Sequence, residues 1–244
     1  MEIRMSKTAK TRIVTPEELA EQSRYQAMVR SFYAARGVSA PLACVRTYGC
    51  QQNVSDSEHI KGILAQMGFG FTDEPGEADL ILFNTCAIRE HAEDRVFGNV
   101  GALKAIKTRR PETLIALCGC MVQQAHVAEK IRKSYPYVGL VFGTHVLYRL
   151  PELLYGALTS PRQVQERPEE AGVIAEGMAV RRDGSFKAWL PIMYGCDNFC
   201  SYCVVPYVRG RERSREPEQV LREAEQLVRE GYKEVTLLRQ NVNS

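Results

Sequence analysis

Three cysteines near the end of the chain have a spacing that suits an inorganic centre. Cys196, Cys200 and Cys203 follow a C-x3-C-x2-C pattern directly after Gly195. A structural zinc site needs four protein ligands, so zinc would require a fourth ligand elsewhere in the chain. A cubane [4Fe–4S] cluster has four irons, and three cysteines would leave one iron without a protein ligand. The spacing favours a cluster with an open coordination position, and zinc is the alternative.

The composition is that of an ordinary globular protein. The chain has 244 residues, of which 45% are hydrophobic and 25% charged, and its net charge is +3. So small a charge does not by itself indicate nucleic-acid binding. There is no signal-peptide pattern and no run of about 18 apolar residues. We therefore expect a cytoplasmic protein whose eight cysteines serve metal binding or catalysis rather than disulfides.

Residues 1–40 are predicted to form a helical extension. Thr15-Pro16-Glu17-Glu18 is typical of a helix start with a capping box, and the helical pattern continues to Arg36 before Gly37. The pattern does not indicate a role for this helix, and a docking or partly ordered arm is the simplest interpretation.

Strands and helices alternate between residues 41 and 158. Buried-type strands are predicted at 43–48, 79–84, 113–117 and 138–142, with helical periodicity between them. This alternation predicts an N-terminal α/β domain with a flavodoxin-like parallel sheet covered by helices on both faces.

Three further cysteines follow three of these strands. Cys50, Cys86 and Cys120 each lie just past a strand, in a loop with polar neighbours. The carboxyl ends of parallel strands meet at one edge of a sheet, where ligands bind. The fold is therefore predicted to assemble a second three-thiolate site. Cys44 and Cys118 lie within strands and are interpreted as small buried hydrophobes.

The remainder of the chain divides into a linker and the start of a second domain. Residues 159–187 are rich in Pro, Gly and charged residues and are predicted to be a linker, with a short strand within 171–180. Residues 188–244 indicate a strand at 189–194, an amphipathic helix at 218–230 and a strand at 234–238. This is typical of the first part of a βα (TIM-like) barrel. Two strands leave open hydrogen-bonding edges, so we expect an incomplete domain and a truncated chain.

Several motifs, in order along the chain, resemble the radical S-adenosylmethionine (radical SAM) methylthiotransferases. They are Tyr48-Gly49-Cys50-Gln51-Gln52-Asn53, Asn84-Thr85-Cys86-Ala87-Ile88-Arg89-Glu90, Cys118-Gly119-Cys120-Met121 and the Cys196 motif followed by Val204-Val205-Pro206-Tyr207-Val208-Arg209-Gly210. The residues after Cys86 and the sequence Phe142-Gly143-Thr144-His145 are similar to the branch that acts on N(6)-dimethylallyladenosine next to the anticodon of tRNA.

The resemblance implies a radical reaction that needs two [4Fe–4S] clusters and S-adenosylmethionine. One cluster, on Cys196, Cys200 and Cys203, is expected to bind S-adenosylmethionine and cleave it to a 5′-deoxyadenosyl radical. The other, an auxiliary cluster on Cys50, Cys86 and Cys120, is expected to carry the sulfur that becomes a methylthio group on carbon 2 of the adenine ring. That carbon bears an unactivated C–H bond, which no side-chain base can usefully deprotonate, so we expect no catalytic acid or base among the side chains.

The same resemblance implies cofactor contacts from polar residues after the cysteine motif. We expect Arg209, Arg215, Gln240 and Asn241 to contact the cofactor. The family usually has glycine where this chain has Arg239, and an arginine there is expected to hinder a close backbone approach.

Arginines and histidines also suggest roles by their positions. If the segment after the cysteines is extended, Arg209, Arg211, Arg213 and Arg215 lie on one side of it, where guanidinium groups suit a phosphate. A solvated charge run is the alternative for Arg211 and Arg213. The histidines are interpreted as surface or capping residues: His59, His91, His126 and His145.

The expected partners are a tRNA substrate and an electron donor such as flavodoxin or ferredoxin, with no membrane association and a monomeric state. The sulfur donor is not identified by the sequence. Two alternatives stay open: a sister methylthiotransferase that acts on threonylcarbamoyladenosine in tRNA or on a ribosomal protein, and a non-catalytic iron–sulfur or zinc-binding module. We expect the chain to bind the auxiliary cluster but to turn over poorly or not at all by itself.

Overall fold

A computed structural model describes residues 12–87, 90–168 and 172–241. The first strands and helices of the chain are β1 (Arg12–Ile13), α1 (Pro16–Ala34), β2 (Leu42–Tyr48), α2 (Gln51–Gln66), β3 (Gly70–Phe71), β4 (Leu80–Thr85), α3 (Glu90–Arg109), β5 (Leu114–Gly119), α4 (Ala125–Ser134), β6 (Leu140–Phe142), α5 (Leu150–Thr159) and β7 (Val164–Glu166). Six of these strands form one parallel sheet in the order β3-β2-β4-β5-β6-β7. This is a flavodoxin-like strand order with one strand added beyond β6. The predicted α/β class and parallel sheet are confirmed.

The sheet is buried on both faces, as β4 illustrates. Leu80 and Leu82 pack in the core cluster beneath α1, α2 and α5. Ile81 and Phe83 point to the opposite face and pack beneath α3 and α4. Successive side chains of a strand alternate between faces, so four consecutive apolar residues supply both cores. Burial of each of these side chains contributes about 2 kcal/mol to the free energy of folding, which holds β4 in the centre of the domain.

The N-terminal helix α1 packs against the domain. Its Val29 and Tyr33 side chains are buried in the cluster that also contains residues of α2 and α5. Arg30 donates to the Gln66 carbonyl at 2.6 Å. Of the two interpretations of the extension, docking is the one that the structure supports for this helix.

Loss of the helix cap should destabilise this docked helix measurably. The Thr15 hydroxyl accepts a hydrogen bond from the Glu18 N–H, and the Glu18 carboxylate accepts one from the Thr15 N–H, which confirms the predicted capping box. We expect Thr15→Ala to lower the free energy of unfolding by about 1 kcal/mol in urea titrations. Ser23→Ala, on an exposed turn of the same helix, is the control, because alanine is at least as good a helix former. Equal stability of the two variants would contradict the role of the cap.

The segment predicted as a linker contributes a strand to the sheet. β7 pairs in parallel with β6, with Val164 opposite Leu140 and Glu166 opposite Phe142. The sheet therefore continues into residues 159–187. β7 has only one apolar residue and lies at the sheet edge, so hydrophobic periodicity gives little signal for it. Beyond it, the two-residue strand β8 (Val173–Ile174) pairs with β1.

The last part of the chain forms one parallel strand pair with its crossover helix. Its elements are β9 (Lys187–Pro191), β10 (Met193–Tyr194), α6 (Val205–Arg209), β11 (Arg213–Ser214), α7 (Pro217–Arg229) and β12 (Glu234–Leu238). β9 and β12 are parallel, with Pro191 opposite Leu238, and Leu227 of α7 packs on Ala188 and Leu190. This is the βα unit predicted from the sequence. Among the described residues, no helix is long and apolar enough to cross a membrane.

Candidate metal centres

The three strand-end cysteines lie at the same edge of the six-stranded sheet. Cys50 begins α2 directly after β2, Cys86 follows β4, and Cys120 follows β5. These strands are neighbours in the sheet, and the Cys120 N–H donates to the Thr85 carbonyl at 2.8 Å. Cys86 and Cys120 are buried and Cys50 is half-buried. The predicted arrangement at the carboxyl edge is therefore present, although the cysteines lie up to 70 residues apart in the sequence.

A buried amide network holds the loops of this edge together. Asn53, in the first turn of α2, donates to Asn84 Oδ1 at 3.0 Å and to the Thr85 carbonyl at 3.2 Å. Asn84 donates to the Asn53 carbonyl at 2.8 Å and to Ser57 Oγ at 3.0 Å. Both asparagines are fully enclosed. The pair fixes the Cys50 turn against the strand end that precedes Cys86, a role that the sequence prediction did not assign.

Removal of the Asn84 amide should loosen this edge. Asn84→Ala removes the Asn84 acceptor of the Asn53 amide and the side-chain donors to the Asn53 carbonyl and to Ser57 Oγ in a buried site, so we expect the free energy of unfolding to fall by about 2–3 kcal/mol. Urea denaturation of the metal-free chain measures this. Gln51→Ala, at an exposed position of the same α2 turn, is the matched control and should change stability little. A similar loss in both variants would exclude a special role for Asn84.

The thiols of this edge have different proton affinities. A hydrogen bond with Cys86, assisted by the Asn53 backbone and the Arg209 charge, lowers the pKa of Cys50 to about 5. Burial raises the pKa of Cys120, although the nearby Arg209 opposes that effect. Burial also raises the pKa of Cys118 well above its ordinary value, and it raises that of Cys44. The last two thiols are therefore inert core groups, as predicted.

The second cysteine group lies on one loop after β10. Cys196 is buried, Cys203 half-buried and Cys200 exposed. The Cys196 N–H donates to the Gly210 carbonyl at 3.2 Å, and the Cys203 N–H donates to the Cys200 carbonyl at 2.9 Å. Gly195 enters the loop with a φ of +73°. Backbone hydrogen bonds thus fold this motif locally, in contrast to the first group, which depends on the sheet.

Both cysteine groups offer the donors that an iron–sulfur cluster needs. Among the described residues, no group of three or more His, Cys, Asp or Glu side chains could hold a single metal ion. A zinc ion with bonds of about 2.3 Å to sulfur requires its thiolates to lie within about 4 Å of one another. In a cubane cluster each thiolate binds a different iron, so the thiolates stand farther apart. Three thiols at each group are the donor set of a [4Fe–4S] cluster with one open iron, and their role as ligands stays a prediction.

The arginines after the second group do not lie on one side of an extended segment, so that expectation was wrong. Val205–Arg209 is the helix α6, and Pro206 near its start is a signal for helix that the prediction did not use. Arg209 and Arg213 are buried, and the guanidinium of Arg215 is almost fully enclosed. Arg211 is the exposed one, and it pairs with Asp197 at 2.9 Å.

Two of these arginines are bound by carboxylates of distant elements. Arg209 pairs with Asp56 of α2 at 2.7 Å, and its Nε donates to Cys120 Sγ at 3.0 Å. Arg215 pairs with Glu176 at 2.6 Å and with Glu223 at 2.8 Å. These contacts bind both guanidinium groups to protein, and a cofactor contact from either one stays a prediction.

The other predicted cofactor residues follow the end of β12. Gln240 is exposed and Asn241 half-buried. Because β12 and β9 are parallel, these residues leave the sheet at the same end as the loop that carries Cys196. Their contact with a cofactor stays a prediction, as does the effect of Arg239, which is exposed. The motif residues Ile88, Arg89, Val242 and Asn243 lie outside the described residues.

Two histidines are less exposed than their interpretation as surface residues implies. His145 is buried rather than on the surface, and burial together with the charges of Arg213 and Arg209 lowers its pKa to about 4. His59 is half-buried, and burial lowers its pKa as well. His126 is exposed, as expected. The side chain of His91 lies outside the described residues.

Two parts of the chain match family models, and known proteins match across both parts. Residues 43–143 match the model of "Uncharacterized protein family UPF0004", and residues 190–243 match that of the radical SAM superfamily. The proteins named tRNA-2-methylthio-N(6)-dimethylallyladenosine synthase from Acetivibrio thermocellus and Caldicellulosiruptor saccharolyticus are 49% and 54% identical over 234 and 198 residues. The chain belongs to the radical SAM methylthiotransferase family. Membership of that family implies iron–sulfur clusters and S-adenosylmethionine.

The match covers most of this chain and part of each relative. The aligned regions comprise 95% and 81% of the chain, but 49% and 42% of the two relatives. A relative of the same name from Clostridium perfringens is 51% identical over 83% of the chain and 45% of its own length. The chain thus spans about half the length of the curated relatives that it matches.

Proposed function

We propose that this chain carries the two cofactor-binding parts of a tRNA methylthiotransferase that modifies carbon 2 of N(6)-dimethylallyladenosine next to the anticodon. The observation that carries the proposal is the pair of three-thiol groups on one chain, one at the sheet edge and one on the loop after β10. The name shared by relatives of about 50% identity supports this substrate rather than threonylcarbamoyladenosine or a ribosomal protein.

Each cysteine group would hold one [4Fe–4S] cluster, so the chain would hold two. Cys196, Cys200 and Cys203 would bind the cluster to which S-adenosylmethionine attaches, and Cys50, Cys86 and Cys120 would bind the auxiliary cluster. When bound, these cofactors supply the radical and sulfur chemistry that an unactivated aromatic C–H bond requires. The chain itself positions the thiols and buries Cys86, Cys120 and Cys196, which limits access of water and oxygen.

The proposed partners follow from this reaction. A tRNA would supply the adenine, and a small electron-transfer protein such as flavodoxin or ferredoxin would supply the electron. Both the tRNA and the electron-transfer protein could approach the loop around Cys200, because its exposed residues include Cys200, Phe199 and Tyr202, with Tyr207 exposed nearby. Aromatic side chains are common stacking surfaces for unpaired bases. We propose a monomer for the complex with tRNA.

Anaerobic reconstitution followed by two product assays tests this function. The reconstituted chain, given dithionite and S-adenosylmethionine, should form 5′-deoxyadenosine. With tRNA that carries dimethylallyladenosine, digestion and mass spectrometry should detect the 2-methylthio nucleoside in an amount no greater than that of the chain, because we expect poor turnover, and tRNA with threonylcarbamoyladenosine should give none. Cluster binding without 5′-deoxyadenosine would contradict the radical function and favour a non-catalytic module. Methylthio transfer to threonylcarbamoyladenosine instead would contradict the proposed substrate.

A further inference from the structure

A buried ion pair connects the second cysteine segment to the first cysteine group. Arg209, at the end of α6, pairs through Nη2 with Asp56 Oδ2 at 2.7 Å. Its Nε donates to Cys120 Sγ at 3.0 Å. Only 7% of the Arg209 side chain and 11% of the Asp56 side chain are exposed. A guanidinium from the segment that follows Cys203 therefore reaches across the chain to a proposed ligand of the auxiliary cluster.

The same connection extends to the Cys50 turn. Gln52 donates from Nε2 to Asp56 Oδ1 at 3.2 Å, so both carboxylate oxygens of Asp56 are held. Gln52 and Asp56 lie in the first two turns of α2, which begins directly after Cys50. The series Gln52, Asp56, Arg209 and Cys120 thus links the loop after β2, the helix α6 and the loop after β5.

The charges of this series are arranged for a thiolate. Iron binds a cysteine sulfur as a thiolate, which carries a negative charge. Arg209 places a positive charge and an N–H donor at the sulfur. Asp56 places a negative charge on the opposite side of the guanidinium. With Cys120 as a thiolate, the Arg209 cation lies between two anions. Loss of the Arg209 charge would make the surroundings of the sulfur more negative, and loss of the Asp56 charge would make them more positive.

We propose that Arg209 is a positioning residue for the auxiliary cluster, and that Asp56 and Gln52 hold it in place. Arg209 orients Cys120 through the Nε–Sγ contact and sets the electrostatic potential at the cluster. Since Arg209 belongs to the segment that carries Cys196, Cys200 and Cys203, it also couples the geometry of the two cysteine groups. The inference rests on the proposed binding of a cluster by Cys50, Cys86 and Cys120.

The sign of the change in reduction potential distinguishes this role from simple structural support. Hydrogen bonds to cluster sulfurs and local net charge set the potentials of iron–sulfur clusters. We expect Arg209→Gln to shift the midpoint potential of the auxiliary cluster to more negative values and Asp56→Asn to shift it to more positive values. The double variant should lie between them. We also expect Arg209→Gln to retain iron against a chelator about 10-fold less well.

The measurement requires a chain in which only the auxiliary cluster forms. A background with Cys196, Cys200 and Cys203 replaced by alanine meets that requirement, and redox titration followed by electron paramagnetic resonance reads the potential. Arg182→Gln is the matched control, because the nearly enclosed Arg182 pairs with Glu58 and Glu223 but has no cysteine contact in the described part of the chain. It should lower stability without moving the potential. Arg209→Lys keeps the charge, so it should shift the potential less than Arg209→Gln does.

The outcomes separate failure of this inference from failure of the proposed function. If the background chain binds no iron and sulfide, the proposed auxiliary cluster itself is wrong. If it binds a cluster, but the Arg209 and Asp56 variants leave the potential unchanged or shift it in the same direction, the positioning role is overturned. An equal shift in Arg182→Gln would also overturn it.

Discussion

Replacement of Cys50, Cys86 and Cys120 together by alanine will reduce the iron and sulfide content of the reconstituted chain by about four atoms of each. These cysteines come from three loops that the parallel sheet brings to one edge. The loop with Cys196, Cys200 and Cys203 is closed by its own backbone hydrogen bonds, so it should keep its cluster. Iron and acid-labile sulfide analysis after anaerobic reconstitution measures the loss.

Two controls define this result. The double variant Cys44→Ala with Cys118→Ala removes thiols that lie inside strands β2 and β5, and it should retain the full iron content. Replacement of Cys196, Cys200 and Cys203 should also remove about four irons and, in addition, abolish formation of 5′-deoxyadenosine. If the variant lacking Cys50, Cys86 and Cys120 kept all its iron, the sheet-edge group would not be a cluster site.

The substitution Gly195→Ala will remove the cluster of the second group and leave that of the first. Gly195 has a φ of +73°, and a Cβ atom there would collide with the backbone carbonyls of Gly210 and Arg211. An L-residue at positive φ costs about 1–3 kcal/mol by itself. The collision adds to this cost, because backbone cannot move aside as a flexible side chain can. Cys196 is the next residue, so any relief displaces a proposed ligand.

Gly177→Ala is a control at a glycine with the same φ angle. Gly177 also has a φ of +73°, but nothing lies within 4 Å of the position of its Cβ atom. This variant pays the conformational cost without the collision, so it should be less stable yet retain both clusters. Loss of about four irons in Gly195→Ala alone, with 5′-deoxyadenosine formation abolished, is the expected outcome. Equal iron content in the two variants would show that the close approach at Gly195 is not required.

The sheet-edge group could be predicted because short-range sequence patterns reveal the strands that bring its cysteines together. Apolar runs such as Leu80–Phe83 reveal where strands lie, and alternation with helices makes the sheet parallel. The position of a cysteine just past a strand then determines its edge. The positions of Cys50, Cys86 and Cys120 just past three parallel strands, beside polar residues, were therefore enough to predict that they lie at one edge. The complete strand order was not needed.

Contacts between distant elements could not be predicted in the same way. Arg209 and Asp56 are 153 positions apart, and arginine and aspartate are residue types that usually lie at the surface. Only the folded chain places the end of α6 beside the first turns of α2, which brings the two side chains together and buries them. The Asn53–Asn84 network has the same origin, since side-chain hydrogen bonds carry no periodic signal. β7 was missed because an edge strand of three residues is too short and too polar to be recognised.

Iron and sulfide analysis of the unaltered chain, reconstituted without oxygen, tests the central claim most directly. Two independent three-cysteine groups predict about eight irons and eight sulfides per chain. Addition of S-adenosylmethionine should change the electron paramagnetic resonance spectrum of one reduced cluster and leave the other unchanged. About four irons per chain, zinc in place of iron at either group, or a spectrum indifferent to S-adenosylmethionine would contradict the account.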